Sequence, residues 1–218
     1  MTSDETAVTV PVRTSTAVAR HLSTRHARGT RPRPEECIIG AMPARSLYRR
    51  ILGDKLDLLP EALRSFHAST VPRRAEGIFR IERGRGLLAR LIARIGGLPP
   101  NAEQVAVSLE VRPDGDRERW IRTFGNRPLA SLQWEKSGLL VERLSPLTLG
   151  IELVPDATGL RYQVRKCWLG PIPVPRALAP KVATTTVGRE DGWRLFVRVD
   201  LPFTGMLIKY EGDIRCHS

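Results

Sequence analysis

The sequence predicts an α+β domain that is mainly β: an antiparallel β-barrel or strongly curved sheet, with two N-terminal helices and one inserted amphipathic helix. Between Gly77 and Tyr210, short stretches alternate apolar with polar residues, as strands with one buried face do. Gly, Pro and Asp turns of hairpin length break them, among them Asp156-Ala157-Thr158-Gly159 and Arg189-Glu190-Asp191-Gly192. Helical spacing is confined to short segments before the first strand and just after it.

Residues 1–42 are polar, with Thr, Ser, Arg and the steps Arg31-Pro32 and Arg33-Pro34, and carry no sustained periodicity. They read as a disordered leader, and 43–218 read as one domain. Met42 directly precedes the first patterned segment, so a natural start there is an expectation that an intact mass tests. Ser46 suits an N-cap for Leu47, Tyr48, Ile51 and Leu52, a helix that closes near Gly53. Pro60 suits the first turn of a second helix, whose apolar side is Leu63 and Phe66 and which ends by His67 and Val71-Pro72.

The first strand is Gly77 to Arg83. After Gly84-Arg85-Gly86, the residues Leu87, Leu88, Leu91, Ile92 and Ile95 form a helical stripe with Arg90 and Arg94 off it, stopped by Gly96-Gly97 and Pro99-Pro100. Such a helix can cap a barrel end. Its stripe either packs on the barrel or lies in a membrane interface, which makes 86–96 a candidate peripheral membrane contact.

Val105, Val107, Leu109 and Val111 make the clearest strand, and Pro113 to Asp116 its turn. Further strands are Arg119–Phe124, Leu129–Trp134, Leu139–Leu144, Leu147–Leu153, Leu160–Trp168, Trp193–Val199 and Met206–Asp213. That gives eight or nine. Closure removes the exposed edges of such a meander, and a lipocalin-like barrel of this size has room for one small ligand. Leu169 to Pro180 (LGPIPVPRALAP) is too rich in proline for a central strand and reads as a lid or docking surface.

Composition narrows the function classes. The formal net charge is +12, from 30 Arg and 5 Lys against 23 acidic residues. The arginines are spread over most segments and no helix-turn-helix, zinc finger or RNP motif accompanies them, so specific nucleic-acid binding is not expected. Cys37, Cys167 and Cys216 form no CxxC pair, which fits a reducing compartment. With no apolar run of membrane-spanning length and no signal core, the expected location is cytoplasmic. Gly84-Arg85-Gly86 lacks the third glycine and the second βαβ unit of a dinucleotide site. No metal-ligand spacing, nucleophile elbow or Walker motif occurs, so neither metal nor cofactor is expected.

The strings SLYRRILG (46–53), LRSFH (63–67), GIFRIERGRGLLARL (77–91), ERWIRTF (118–124), GLLVERLSPL (138–147) and PRALAPKV (175–182) together resemble a bacterial domain family of unknown function. That family occurs alone or at the C-terminus of saccharopine-dehydrogenase-like reductases. The resemblance covers roughly 46–213 and implies no catalytic residues.

Candidate chemistry comes from polar residues inside the pattern. Trp120, Arg122 and Phe124 share one strand face. Arg122, if that face points inward, needs a carboxylate or a ligand anion, and Glu142 and Glu152 are the nearest in strand order. The pair is either structural or ligand-orienting. A carboxylate among apolar residues has its pKa raised and can deliver a proton. His67, the one histidine in the patterned region, is either a structural cap or a general base, and Gln133 and Tyr162 can add hydrogen bonds. Arg122, Glu142 and His67 are thus the candidate catalytic residues, with Trp120, Phe124, Gln133, Glu152 and Tyr162 as ligand contacts. The expected function is binding of a hydrophobic small molecule, either as a cofactor-independent cyclase or isomerase on a polyketide-like substrate of specialised metabolism, or as a non-catalytic lipid or polyketide carrier, accessory to a reductase or membrane surface.

Overall fold

The computed structural model describes residues 45–216; the expected leader lies outside them. Three helical segments come first. Ser46 accepts from the Arg49 N–H at 3.2 Å and starts α1 (Leu47–Leu52), a 3-10 segment covers Gly53–Leu58, and α2 (Glu61–Ala68) follows Pro60. Their apolar sides, Leu47, Tyr48, Leu56, Leu63 and Phe66, are all buried in the main core, so these helices plug one end of the strand barrel.

The strands are β1 (Arg73–Arg83), β2 (Ala102–Asp114), β3 (Arg117–Phe124), β4 (Arg127–Lys136), β5 (Leu139–Leu144), β6 (Leu147–Asp156), β7 (Gly159–Leu169), the short β8 (Ile172–Pro173), β9 (Lys181–Arg189), β10 (Gly192–Leu201) and β11 (Gly205–Cys216). All pair antiparallel. Sequence neighbours run β1 to β7 in order; β7 then pairs β9, and β11 returns to β1. Ten strands therefore close a barrel, with β8 appended to β7. The count exceeds the eight or nine expected because β9 (KVATTTVGR) is threonine-rich and lacks an apolar alternation. β1 also starts four residues early, at Arg73.

Register fixes which residues face in. Pairs Leu109↔Arg122, Val111↔Trp120, Glu118↔Gln133, Gln133↔Glu142 and Glu142↔Leu149 carry one inward row across five strands, as the two-residue period requires. Gly212 belongs to this inner face because the Phe79 ring occupies the space: a Cβ there would meet it at 2.7 Å.

The helix between β1 and β2, α3 (Leu87–Ile95), does not bury its stripe. Ala89 and Ala93 pack against Leu207 of β11, while Leu87, Leu88, Leu91 and Ile95 are 83, 53, 54 and 79% exposed. Small residues win because the chain enters α3 in close contact with β11. Gly84 donates to the Leu207 carbonyl at 3.0 Å, and a Cβ on it would sit 1.9 Å from the Met206 carbonyl oxygen. The N-terminal helices, rather than α3, close the barrel end.

Candidate functional site in the barrel interior

Two ion pairs stand inside the barrel at different depths. Nearer the helical plug, Arg73 at the start of β1 donates through Nη2 to both oxygens of Glu118 at 2.9 and 3.0 Å. Trp120 Nε1 donates to the same carboxylate at 3.0 Å, and the guanidinium lies 5.0 Å from the Phe66 ring centre. Both side chains are under 10% exposed. This pair is sealed and serves the plug.

Farther in, Arg122 of β3 meets Glu142 of β5 at 3.0 Å. Ser131 on the intervening β4 links them, accepting from Arg122 Nη1 at 2.9 Å and donating to Glu142 Oε1 at 2.6 Å. The Arg122 cation lies 5.1 Å from the Trp120 ring centre. Here 18% and 13% of the two side chains remain accessible although both point inward. Inward-facing groups that keep accessible surface border a space, and half-buried Tyr162, Val164, Val182, Thr184, Leu195 and Tyr210 stand on the same inner face.

The electrostatics define what these groups can do. Burial pushes the Glu142 carboxyl up, but Arg122, Ser131 and Gln133 together outweigh it and hold the group below the usual carboxylate range. Glu142 is therefore an anion at neutral pH, which corrects the expected raised carboxyl. Burial pushes the Tyr162 phenol up to about 12 and raises Tyr210 as well. These hydroxyls stay protonated and can donate. The Tyr48 hydroxyl, also held protonated chiefly by burial, donates to Gln133 Oε1 at 3.5 Å, tying the plug to this polar row.

The barrel wall parts beside Tyr162. β7 pairs with β9 only over Gly159–Gln163, and past that point a bulge on β7 shifts its register against β6. Under the 170–180 loop lies a cleft of about 420 Å³ lined by Val164, Cys167, Val174, Ala179 and Val182 and by the charged Arg165, Lys166, Arg176, Lys181 and Asp200. A second, of about 370 Å³, shares Val164 and Val182 and reaches Tyr162 and Thr184. The proline-rich loop thus covers part of the first cleft, and the two clefts meet at Val164 and Val182 on the β7–β9 seam.

The predicted site residues divide accordingly. Arg122, Glu142, Gln133, Tyr162 and Trp120 are brought together, and buried Phe124 sits one inward position farther along β3, against Phe79 and Tyr210. Glu152 is not with them: it points outward and pairs with Arg165 at 2.5 Å, because inward Ile151 and Leu153 flank it. His67 is 2% exposed and stacks on Tyr48 with ring centres 3.8 Å apart. Burial, then the Arg73 charge, lower its pKa to about 3. It is a neutral part of the plug. Sequence reasoning missed Arg73, Glu118 and Ser131, although Glu118 shares the period-two face of Trp120 and Arg122 and Ser131 that of Gln133.

A family model described as "Domain of unknown function (DUF4166)" matches residues 59–214. The chain belongs to the DUF4166 family. The matched span takes in α2 and nearly all of the barrel, so the paired interior groups of this DUF4166 domain fall within it. No curated protein and no solved structure matches the chain. Among the described residues of the DUF4166 domain, no cluster of three or more His, Cys, Asp or Glu is placed to hold a metal ion, and no helix is long and apolar enough to cross a membrane.

Proposed function

We propose that the barrel binds one hydrophobic small molecule carrying a hydrogen-bonding oxygen, admitted beneath the 170–180 loop. The observation that carries this reading is the accessible surface left on Arg122 and Glu142 inside the barrel. Apolar ligand surface would rest on Val164, Val182, Leu195 and Phe124, and Tyr162 and Arg122 would donate to its oxygen; a few placed polar groups in an apolar pocket are the usual recipe for orientation. In this reading the domain is a lipid or polyketide carrier, and the reductase association implied by the sequence resemblance makes it an accessory module.

A catalytic version rests on one further arrangement, the Glu142 carboxylate bridged through Ser131 to the Arg122 donor, in which the lowered pKa leaves Glu142 a weak base. Glu142 takes a proton next to a ligand carbonyl while Tyr162 and Arg122 donate to the oxygen as the enolate forms. The enolate carbon attacks a second carbonyl in the same folded chain, the ring closes, and the proton returns to the new alkoxide. No cofactor enters this balance, as a cyclase or isomerase of polyketide-like substrates requires. His67, neutral and sealed, takes no part.

Native mass spectrometry of protein from its host tests the binding reading. The expected result is a second species heavier by one organic molecule and released by organic solvent. Only the bare mass, together with no saturable uptake of phenylnaphthylamine, would overturn it.

A further inference from the structure

The two ends of the barrel differ in chemistry. Strand directions place five connections at the end away from the plug: 84–101, 125–126, 145–146, 170–180 and 202–204. None contains an Asp or Glu, and Arg85, Arg90, Arg94 and Arg176 lie within them, with Arg127 opening β4. Among the described residues these five guanidinium groups have no ion-pair partner. The nearest acids, Glu82, Glu103 and Asp200, stand on strands and are engaged by Arg80, Lys209 or Arg198. The plug end is mixed instead: its acids, among them Asp57, Glu61, Asp116 and Asp156, pair with Arg49, Arg64, Arg117 and Arg161.

The same arginine-bearing end holds the exposed apolar side chains. Leu87, Leu88, Leu91 and Ile95 span about 100° of the helical wheel of α3 at about 100° per residue, with Arg90 and Arg94 along one flank. In the neighbouring β10–β11 turn, Phe203 is 93% exposed and adopts a left-handed backbone with φ 65, a conformation bulky residues seldom take. Ile172 and Leu178 of the 170–180 loop, 65 and 53% exposed, extend the patch around the rim.

We propose that this rim docks on an anionic lipid bilayer, α3 lying in the interface with Phe203 inserted beside it. Leucines and an aromatic set among unpaired arginines are the complement of acyl chains under anionic headgroups. A second copy of the chain is a poor occupant, since it would face five unpaired arginines with five more. The first 44 residues, with six arginines and four acids, offer little countercharge. Docking requires nothing of the chamber, though it would set the cleft under the 170–180 loop against lipid.

The test is co-sedimentation of the full chain with vesicles of phosphatidylcholine, with or without phosphatidylglycerol. Binding is expected only with phosphatidylglycerol and should weaken as salt rises. Arg90→Gln with Arg94→Gln should cost roughly 30-fold in affinity, and Leu91→Ser with Phe203→Ser at least roughly tenfold, with thermal unfolding unchanged. No binding at low salt, or binding that neither pair of substitutions changes, would overturn the assignment. So would a dimer by analytical ultracentrifugation that Leu91→Ser with Phe203→Ser dissolves.

Discussion

Arg122 and Glu142 are 3.0 Å apart although a whole strand, β4, separates their backbones. Ser131 on that strand hydrogen-bonds to both, so three adjacent strands contribute to one charged cluster. Its remaining accessibility contrasts with the sealed Arg73–Glu118 pair, and the proposed binding reading rests on that contrast.

The two pairs should therefore respond differently to loss of charge. Glu118→Gln leaves Arg73 buried without a counter-ion and is expected to destabilise the fold by about 3–5 kcal/mol. Glu142→Gln, beside accessible space and with Ser131 still present, should cost about 1–2 kcal/mol. Urea unfolding of both variants measures the difference; equal losses would place both pairs in the same sealed environment.

His67 predicts a pH dependence. Its folded pKa, about 3, lies below the ordinary 6.5, so the fold holds the neutral form and the unfolded chain takes up the extra proton. The stability this contributes is complete above pH 6.5 and is lost as pH falls toward 3, at about 1.4 kcal/mol per pH unit. Chemical denaturation between pH 6.5 and 5, above the carboxylate range, should show that slope. His67→Phe keeps a ring on Tyr48 and should flatten it.

Tyr162→Phe removes a donor and leaves the wall intact. Displacement of phenylnaphthylamine by acetylnaphthalene, which offers a carbonyl, should weaken by roughly fivefold to tenfold, with the melting temperature unchanged. No change in displacement would remove Tyr162 from the ligand's contacts.

Ala179→Trp narrows the cleft under the 170–180 loop without touching an interior polar group. Stopped-flow uptake of phenylnaphthylamine should slow by roughly tenfold or more while equilibrium affinity changes less, as an entry step rather than a contact is obstructed. Unchanged uptake would move the entrance elsewhere.

Much of the barrel can be read from parity alone: Val105 to Val111 and Trp120 to Phe124 alternate cleanly, which is why Arg122 and Glu142 meet where strand order puts them. Parity also places Glu152 outside, between inward Ile151 and Leu153, whereas strand order alone makes it an Arg122 partner. What parity does not carry is local. The bulge beside Arg165 changes which β7 residues face in, so Cys167 follows Val164 as an inner residue. β9 presents threonines where an apolar alternation is the strand signal. In α3, hydrophobicity argues for buried leucines, yet the close approach at Gly84 admits only alanines. Arg73 escapes the pattern because its strand begins directly after Pro72, and Val71-Pro72 reads as a helix stop.

The most direct test of the chamber is to fill it. Val164 faces inward and lines both clefts, so Val164→Trp should occupy the space beside Tyr162. Fluorescence titration with phenylnaphthylamine should show one saturable site in the wild-type chain and its loss in the variant, with both proteins unfolding cooperatively at similar temperatures. Undiminished saturable binding by a folded Val164→Trp protein would contradict a ligand chamber in this barrel.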